Sequence, residues 1–125
     1  MLSEPALVHI DYLPVYEWGE DRSRFILTDA QTGGSYSVME VVVQLGNGPR
    51  PHTHMDAEEH FLVLEGEAEF TLDGVAMKAK AGDVVHIPRG TVHGFTVTAT
   101  GATMIATFSP GGEEQALLSG SVLSE

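Results

Sequence analysis

The sequence predicts an all-β fold, a sandwich or a closed barrel. Three observations carry that prediction. Strand-sized runs rich in Val, Ile, Phe and Thr recur at short spacing along the chain. Gly, Pro and Asp punctuate them, and 14 of the 125 residues are glycine. No long amphipathic helix interrupts the series.

The elements follow in order. "FILTD" at 25–29 is the first candidate strand, and the paired glycines Gly33 and Gly34 end the link after it. "SYSVMEVVVQL" at 35–45 is rich in β-branched residues, and "GNGP" breaks it. "HFLVLEG" is a continuous apolar run, and "EAEFTLDG" alternates charge with bulk. Asp73-Gly74 signals a hairpin, because its turn needs positive φ and glycine supplies it. In "VAMKAKAG" the period of two puts Val75, Met77 and Ala79 on one face and Lys78 and Lys80 on the other. "DVVHIP", "TVHGFTVTAT" and "ATMIATFSP" complete the strands. The tail offers one or two helical turns around residues 113–118.

Length and composition bound the function. A chain of 125 residues suits one domain with one core. Eighteen acidic residues against six basic ones give a formal charge of -12. Such a surface repels phosphate backbones and anionic membranes, so nucleic acid and membrane are not expected partners. An anionic substrate would need a local positive centre, which a bound metal supplies. There is no cysteine, which excludes disulfides and thiolate metal sites. No leader-like start and no membrane-length apolar run are visible, so the cytoplasm is the expected compartment.

The chemistry gathers in "GNGPRPHTHMDAEEHFLVLEG", residues 46–66. Imidazole nitrogen and carboxylate oxygen are ligands for divalent transition metals. Residues two apart on a strand share a face, so His52 and His54 can aim at one point. Glu59 can reach that point from the next strand, with Glu58 as the competing choice. If Glu59 faces inward, Phe61 and Val63 share its face, and His60, Leu62 and Leu64 face the other way. A second stretch, "GDVVHIPRGTVHGF" at 82–95, brings His93 from a separate strand.

These two stretches resemble the motifs of the cupin superfamily. The first follows its pattern of Gly, five residues, His-x-His, four residues, Glu, six residues, Gly, met by Gly46, His52, His54, Glu59 and Gly66. The second matches at Gly82, Pro88, Gly90 and His93. Its last position is usually Asn, and here it is Val97. That Asn is not a ligand in the family, so the departure touches a supporting hydrogen bond rather than the metal set. The resemblance implies a double-stranded β-helix, the jelly-roll or cupin barrel, over about residues 35–110 of a single domain spanning 1–125. It also implies a homodimer, and a metal held by His52, His54, Glu59 and His93. The apolar run "HFLVL", which needs cover on both faces, argues for the dimer as well. Among small cupins the chain looks most similar to those resembling quercetin dioxygenases.

Three neutral imidazoles and one carboxylate leave a divalent ion with net positive charge. Fe, Mn, Ni, Cu or Zn would suit the donors. The function expected is a metal-dependent oxygenase acting on a small phenolic or enolic molecule. The alternatives are a metal-dependent isomerase, lyase or hydrolase, and a non-catalytic small-molecule-binding protein. Glu40, a carboxylate inside the apolar "SVMEVVV", is a candidate general acid or base; the competing reading pairs it with an arginine such as Arg24 or Arg89. Tyr36, Met39, Phe61, Phe95 and Met104 are candidates to line the substrate pocket, against the plainer reading of core residues. His60 and His86 are expected outside the site, and His9 at the surface.

Overall fold

A computed structural model of the chain describes residues 4–123. A 3-10 turn at Ile10–Tyr12 leads to β1 (Tyr16–Trp18) and β2 (Asp21–Leu27). A short helix, α1 (Asp29–Thr32), precedes β3 (Ser37–Val43). Then come β4 (Glu58–Glu65), β5 (Glu67–Leu72), β6 (Val75–Lys80), β7 (Val84–Ile87), β8 (His93–Val97) and β9 (Ala102–Ser109). Helix α2 (Glu114–Gly120) and β10 (Val122–Leu123) close the described chain. Among the described residues no helix is long and apolar enough to cross a membrane.

The strands form two antiparallel sheets. One has seven strands in the order β10-β1-β2-β3-β9-β4-β7, and the other three in the order β6-β5-β8. Their inner faces bury Met39, Phe61, Val63, Phe70, Val97 and Met104 against one another. Alternation along single strands produces this core. In β9, Ala102, Met104, Ala106 and Phe108 are buried while Thr103, Ile105 and Thr107 between them are only partly so. In β4, Glu59, Phe61 and Val63 are buried, whereas His60 and Leu64 are exposed. The rings of Phe61, Phe70 and Phe95 meet with centroids 5.0 to 5.5 Å apart and form the centre of the core.

Several local features depart from the sequence-based expectations. The first main strand begins at Asp21, well before "FILTD", and Thr28 and Asp29 belong to the start of α1. The Gln31 side chain accepts the Thr28 N–H at 2.9 Å, an end to the strand that an apolar count does not register. Asp21 sits in β2 because its carboxylate accepts the Gln44 N–H and the Asn47 Nδ2 at 2.9 and 3.1 Å. In β6 only Ala79 reaches the core; Val75 and Met77 are 58% and 47% exposed, because β6 is an edge strand that outruns its cover. The Asp73-Gly74 turn takes positive φ at both residues, 48° and 83°, the type I′ signature of a two-residue hairpin.

Candidate metal centre

The site is built where the segment before β4 lies along β8. His52 and His93 exchange both backbone hydrogen bonds, at 2.9 and 2.8 Å. Farther along, Gly46 N donates to Val97 O and Val97 N to Asn47 O, each at 2.9 Å. The segment is thus held to β8 at both ends. Two glycines permit so close an approach. A Cβ on Gly48 would fall 1.8 Å from the Phe95 carbonyl oxygen, and one on Gly94 would fall 2.9 Å from that of Pro49. Val97, standing where the motif usually has Asn, buries its side chain in the core and fastens the segment through its own backbone.

This pairing brings three imidazoles together. The ring centroids of His52 and His93 are 4.3 Å apart, with His54 at 4.9 Å from the first and 5.2 Å from the second. One nitrogen from each of His52, His54 and His93 lies within 4.8 Å of the others. The opposite edge of every ring is already engaged. His52 Nδ1 is 2.7 Å from the Arg50 carbonyl, and His93 Nδ1 is 2.9 Å from that of Thr91. A carbonyl only accepts, so both Nδ1 atoms carry the proton. His54 Nδ1 is 3.1 Å from Glu113 Oε2. The three Nε2 lone pairs are therefore the ones left to converge. Neutral imidazoles with Nδ1–H tied to oxygen are the donor set of a divalent transition-metal site, and the residues present fit such an ion.

Glu59 stands beside two of the three rings, those of His54 and His93. It is 5% exposed, and its Oε1 lies 3.2 Å from His93 Nε2 and 3.7 Å from His54 Nε2. Its neighbour Glu58 is exposed on the other face of β4 and does not compete for the position. Burial works against a charged His93 ring, but the hydrogen bonds to Glu59 and the Thr91 carbonyl and the charge of Glu59 outweigh it, so its pKa is raised. Both ring nitrogens then donate, Nδ1 to Thr91 and Nε2 to Glu59. A proton and a metal would compete for the same place between Glu59 and His93.

The cluster faces a cavity of about 520 Å³, a size suited to a small organic molecule. Its walls are mostly apolar. Met39, Val41, Phe61, Phe95 and Phe108 come from the strands, Ala116 and Leu117 from α2, and Trp18 from β1. His54 meets Phe108 edge-on, with centroids 5.8 Å apart.

Of the proposed pocket residues, Met39, Phe61 and Phe95 line this cavity, and two do not. Tyr36 precedes β3 on the even-numbered parity opposite to Ser37 and Met39, and is 41% exposed. Met104 is fully buried in the core. Glu40 is likewise corrected as a catalytic candidate. It lies on the outer face of β3, where Arg24 Nη1 donates to its Oε1 at 2.9 Å, so the sheet separates it from the imidazoles. His60 and His86 are register partners on the outer face of β4 and β7. His9 packs beside Tyr12 with centroids 5.4 Å apart. Glu113, Trp18 and Leu117 were missed by sequence reasoning. The acidic pair in "GGEEQALL" was the available signal for Glu113, but spacing alone does not tell which of the two turns inward.

Comparison with known proteins places this geometry. Residues 39–116 match the family model described as the cupin domain. A chain of Aquifex aeolicus called an uncharacterized protein is 34% identical over 74 residues, 59% of this chain and 61% of that one. Quercetin 2,3-dioxygenase of Bacillus subtilis is 31% identical over 80 residues, 64% of this chain and 24% of the relative. The match thus spans less than two thirds of either relative. Among solved structures, KdgF from Halomonas sp. superposes with a TM-score of 0.79 at 18% identity, covering 90% of this chain and 99% of that one. At that identity the likeness speaks for the fold alone. The two facing sheets are the double-stranded β-helix, and the chain belongs to the cupin domain family.

Proposed function

We propose that this cupin holds a divalent transition metal through His52, His54, His93 and Glu59 and acts as a small oxygenase on a phenolic or enolic compound. The observation that carries the reading is the commitment of every Nδ1 to an oxygen, which turns three Nε2 atoms toward one point beside an apolar cavity. The kinship with a quercetin dioxygenase over the matched region supports the substrate class. When bound, Fe, Mn, Ni or Cu would supply a Lewis-acidic, redox-active centre for a chelating oxygen donor and dioxygen. The chain's own residues do the rest. Phe61, Phe95 and Met39 pack against a flat ring and exclude water. Glu59 also lines the cavity, so the carboxylate oxygen not holding the ion would be within reach of the hydroxyl proton of a phenol or enol bound there.

Metal content of protein purified without a nickel column, followed by oxygen uptake with a flavonol or a catechol, tests the reading. Near-stoichiometric metal with substrate-dependent uptake is expected. Stoichiometric metal without uptake would move the assignment to redox-neutral chemistry, an isomerase, lyase or hydrolase. Failure to take up any metal on reconstitution would overturn the site itself.

We also read the outer face of the large sheet as the contact of a homodimer. Leu64 and Val84 stand there on neighbouring strands, 44% and 62% exposed. A monomeric mass in solution at micromolar concentration would refute that contact.

A further inference from the structure

Glu113 touches the imidazole cluster from outside the barrel strands. His52 and His93 hand their Nδ1 protons to backbone carbonyls two residues away, which are fixed with the ring itself. His54 alone relies on a side chain for this, and that side chain belongs to the residue preceding α2. The contact is sheltered but reachable: the His54 side chain is 19% exposed and that of Glu113 is 32% exposed.

The same stretch is pinned elsewhere. Glu114 is 1% exposed and accepts the backbone N–H of Asp29 and of Gly112, both at 2.9 Å. Gln115 Nε2 donates to Asp29 Oδ1 at 3.0 Å. Leu117 packs on the core and, with Ala116, walls the cavity. At the far end Gly120 lies against the Trp18 ring, where a Cβ would be 3.1 Å from the nearest ring carbon. The helix that covers the cavity and the acceptor that orients His54 are therefore parts of one docked segment.

We propose that Glu113 is a positioning residue for His54, and that through it metal binding and the docking of α2 over the cavity form one linked equilibrium. The inference rests on the metal reading above and adds a coupling to it. With Glu113 in place, Nδ1–H is held and the Nε2 lone pair is aimed; the carboxylate also makes the ring a stronger donor. With α2 undocked, His54 loses its acceptor and is free to rotate. Whatever docking adds to metal affinity, metal must return to docking by the same factor.

The test uses the full chain stripped with a chelator and then titrated with Co(II) alone, in the parent, Glu113→Ala and Glu113→Gln. Hydrogen exchange of the α2 amides is followed with and without Co(II). Glu113→Ala is expected to weaken Co(II) binding by roughly 10- to 100-fold, the usual cost of losing a partner behind a ligand. Glu113→Gln should retain much of the affinity, since its amide oxygen still accepts from Nδ1–H; an equal loss in both variants would assign the effect to charge rather than to orientation and would overturn the positioning role. Co(II) should slow exchange in α2 of the parent and do so less in Glu113→Ala. A purely structural Glu113 would change the melting temperature of the stripped protein while both variants bound Co(II) like the parent, and that result overturns the proposal. So does α2 exchange in the parent that ignores Co(II). A parent that takes up no Co(II) removes the metal reading, and the coupling falls with it.

Discussion

Glu59 and Glu40 are two carboxylates on one sheet, on strands that both pair with β9, yet they face opposite sides and different chemistry. Glu40 meets a guanidinium at 2.9 Å. Arg24 is always charged and has no lone pair to offer, so the pair is a fixed ionic link. Glu59 meets two imidazoles at 3.2 and 3.7 Å. An imidazole can hold a proton, release it, or give its lone pair to a metal. A buried carboxylate becomes a site or a strut according to which cation faces it. The contrast can be broken experimentally from either side.

The largest effect is expected at the imidazole end. With metal at about a thousand times its dissociation constant, the folded state should gain about 4 kcal/mol. On the proposed ligand set, His93→Ala or Glu59→Gln should remove most of that gain, because each would take one donor from the ion. Thermal denaturation with and without metal reads this directly. Parental gains in both variants would mean that the ion binds elsewhere.

A smaller effect is expected at the arginine end. The Arg24 and Glu40 side chains are 26% and 14% exposed, between the surface and the buried limits. Glu40→Ala should cost about 2 kcal/mol, since it strands a largely buried guanidinium whose Nε has no hydrogen-bond partner among the described residues. Replacing both residues, as in Arg24→Met with Glu40→Leu, should restore much of that loss. Metal affinity should not move in either variant. If Glu40→Ala weakens metal binding as much as Glu59→Gln does, the sheet does not separate the two carboxylates and the contrast fails.

The sequence made one of these carboxylates legible and left the other ambiguous, for physical reasons. The resemblance to the cupin motif singles out Glu59 at its spacing from His52, His54 and Gly66, and a period of two fixes which residues of β4 share its face. Motif spacing and strand parity are local properties of the chain, so the sequence carries them. Glu40 lacked that anchor. A period of two puts Glu40 and Tyr36 on one face and Met39 on the other, but nothing in the run says which face turns inward. Glu113 was harder still. Its partner His54 is far away in the chain, and only the packing of α2 against the barrel brings the two together. The close approach at Gly48 and Gly94 was invisible for the same reason: each glycine is required by backbone from another segment. The all-β class and the three imidazoles came from local pattern, whereas the cavity walls came from contacts across the fold.

The smallest effect is a slope rather than a step, and it separates a proton from a metal at the same atom. The His93 pKa is raised in the folded protein, while in the unfolded chain it sits near the ordinary 6.5. The folded state therefore binds more protons than the unfolded state above that pH, and stability must fall as pH rises. The stabilisation from the His93–Glu59 pair is fully present below about pH 6.5 and is lost as pH climbs through the raised value of the folded ring. Urea denaturation of chelator-stripped protein across this window should show the decline, and His93→Gln should flatten it. Saturating metal should act differently, taking the Nε2 lone pair so that the proton cannot return until the pH is low enough to expel the ion. Stability of the metal-bound protein should then rise with pH over the window where that of the stripped protein falls. A stripped protein whose stability does not fall across the window, or falls equally in His93→Gln, would show that Glu59 and His93 do not share a proton, and the contrast with the fixed Arg24–Glu40 pair would lose its basis.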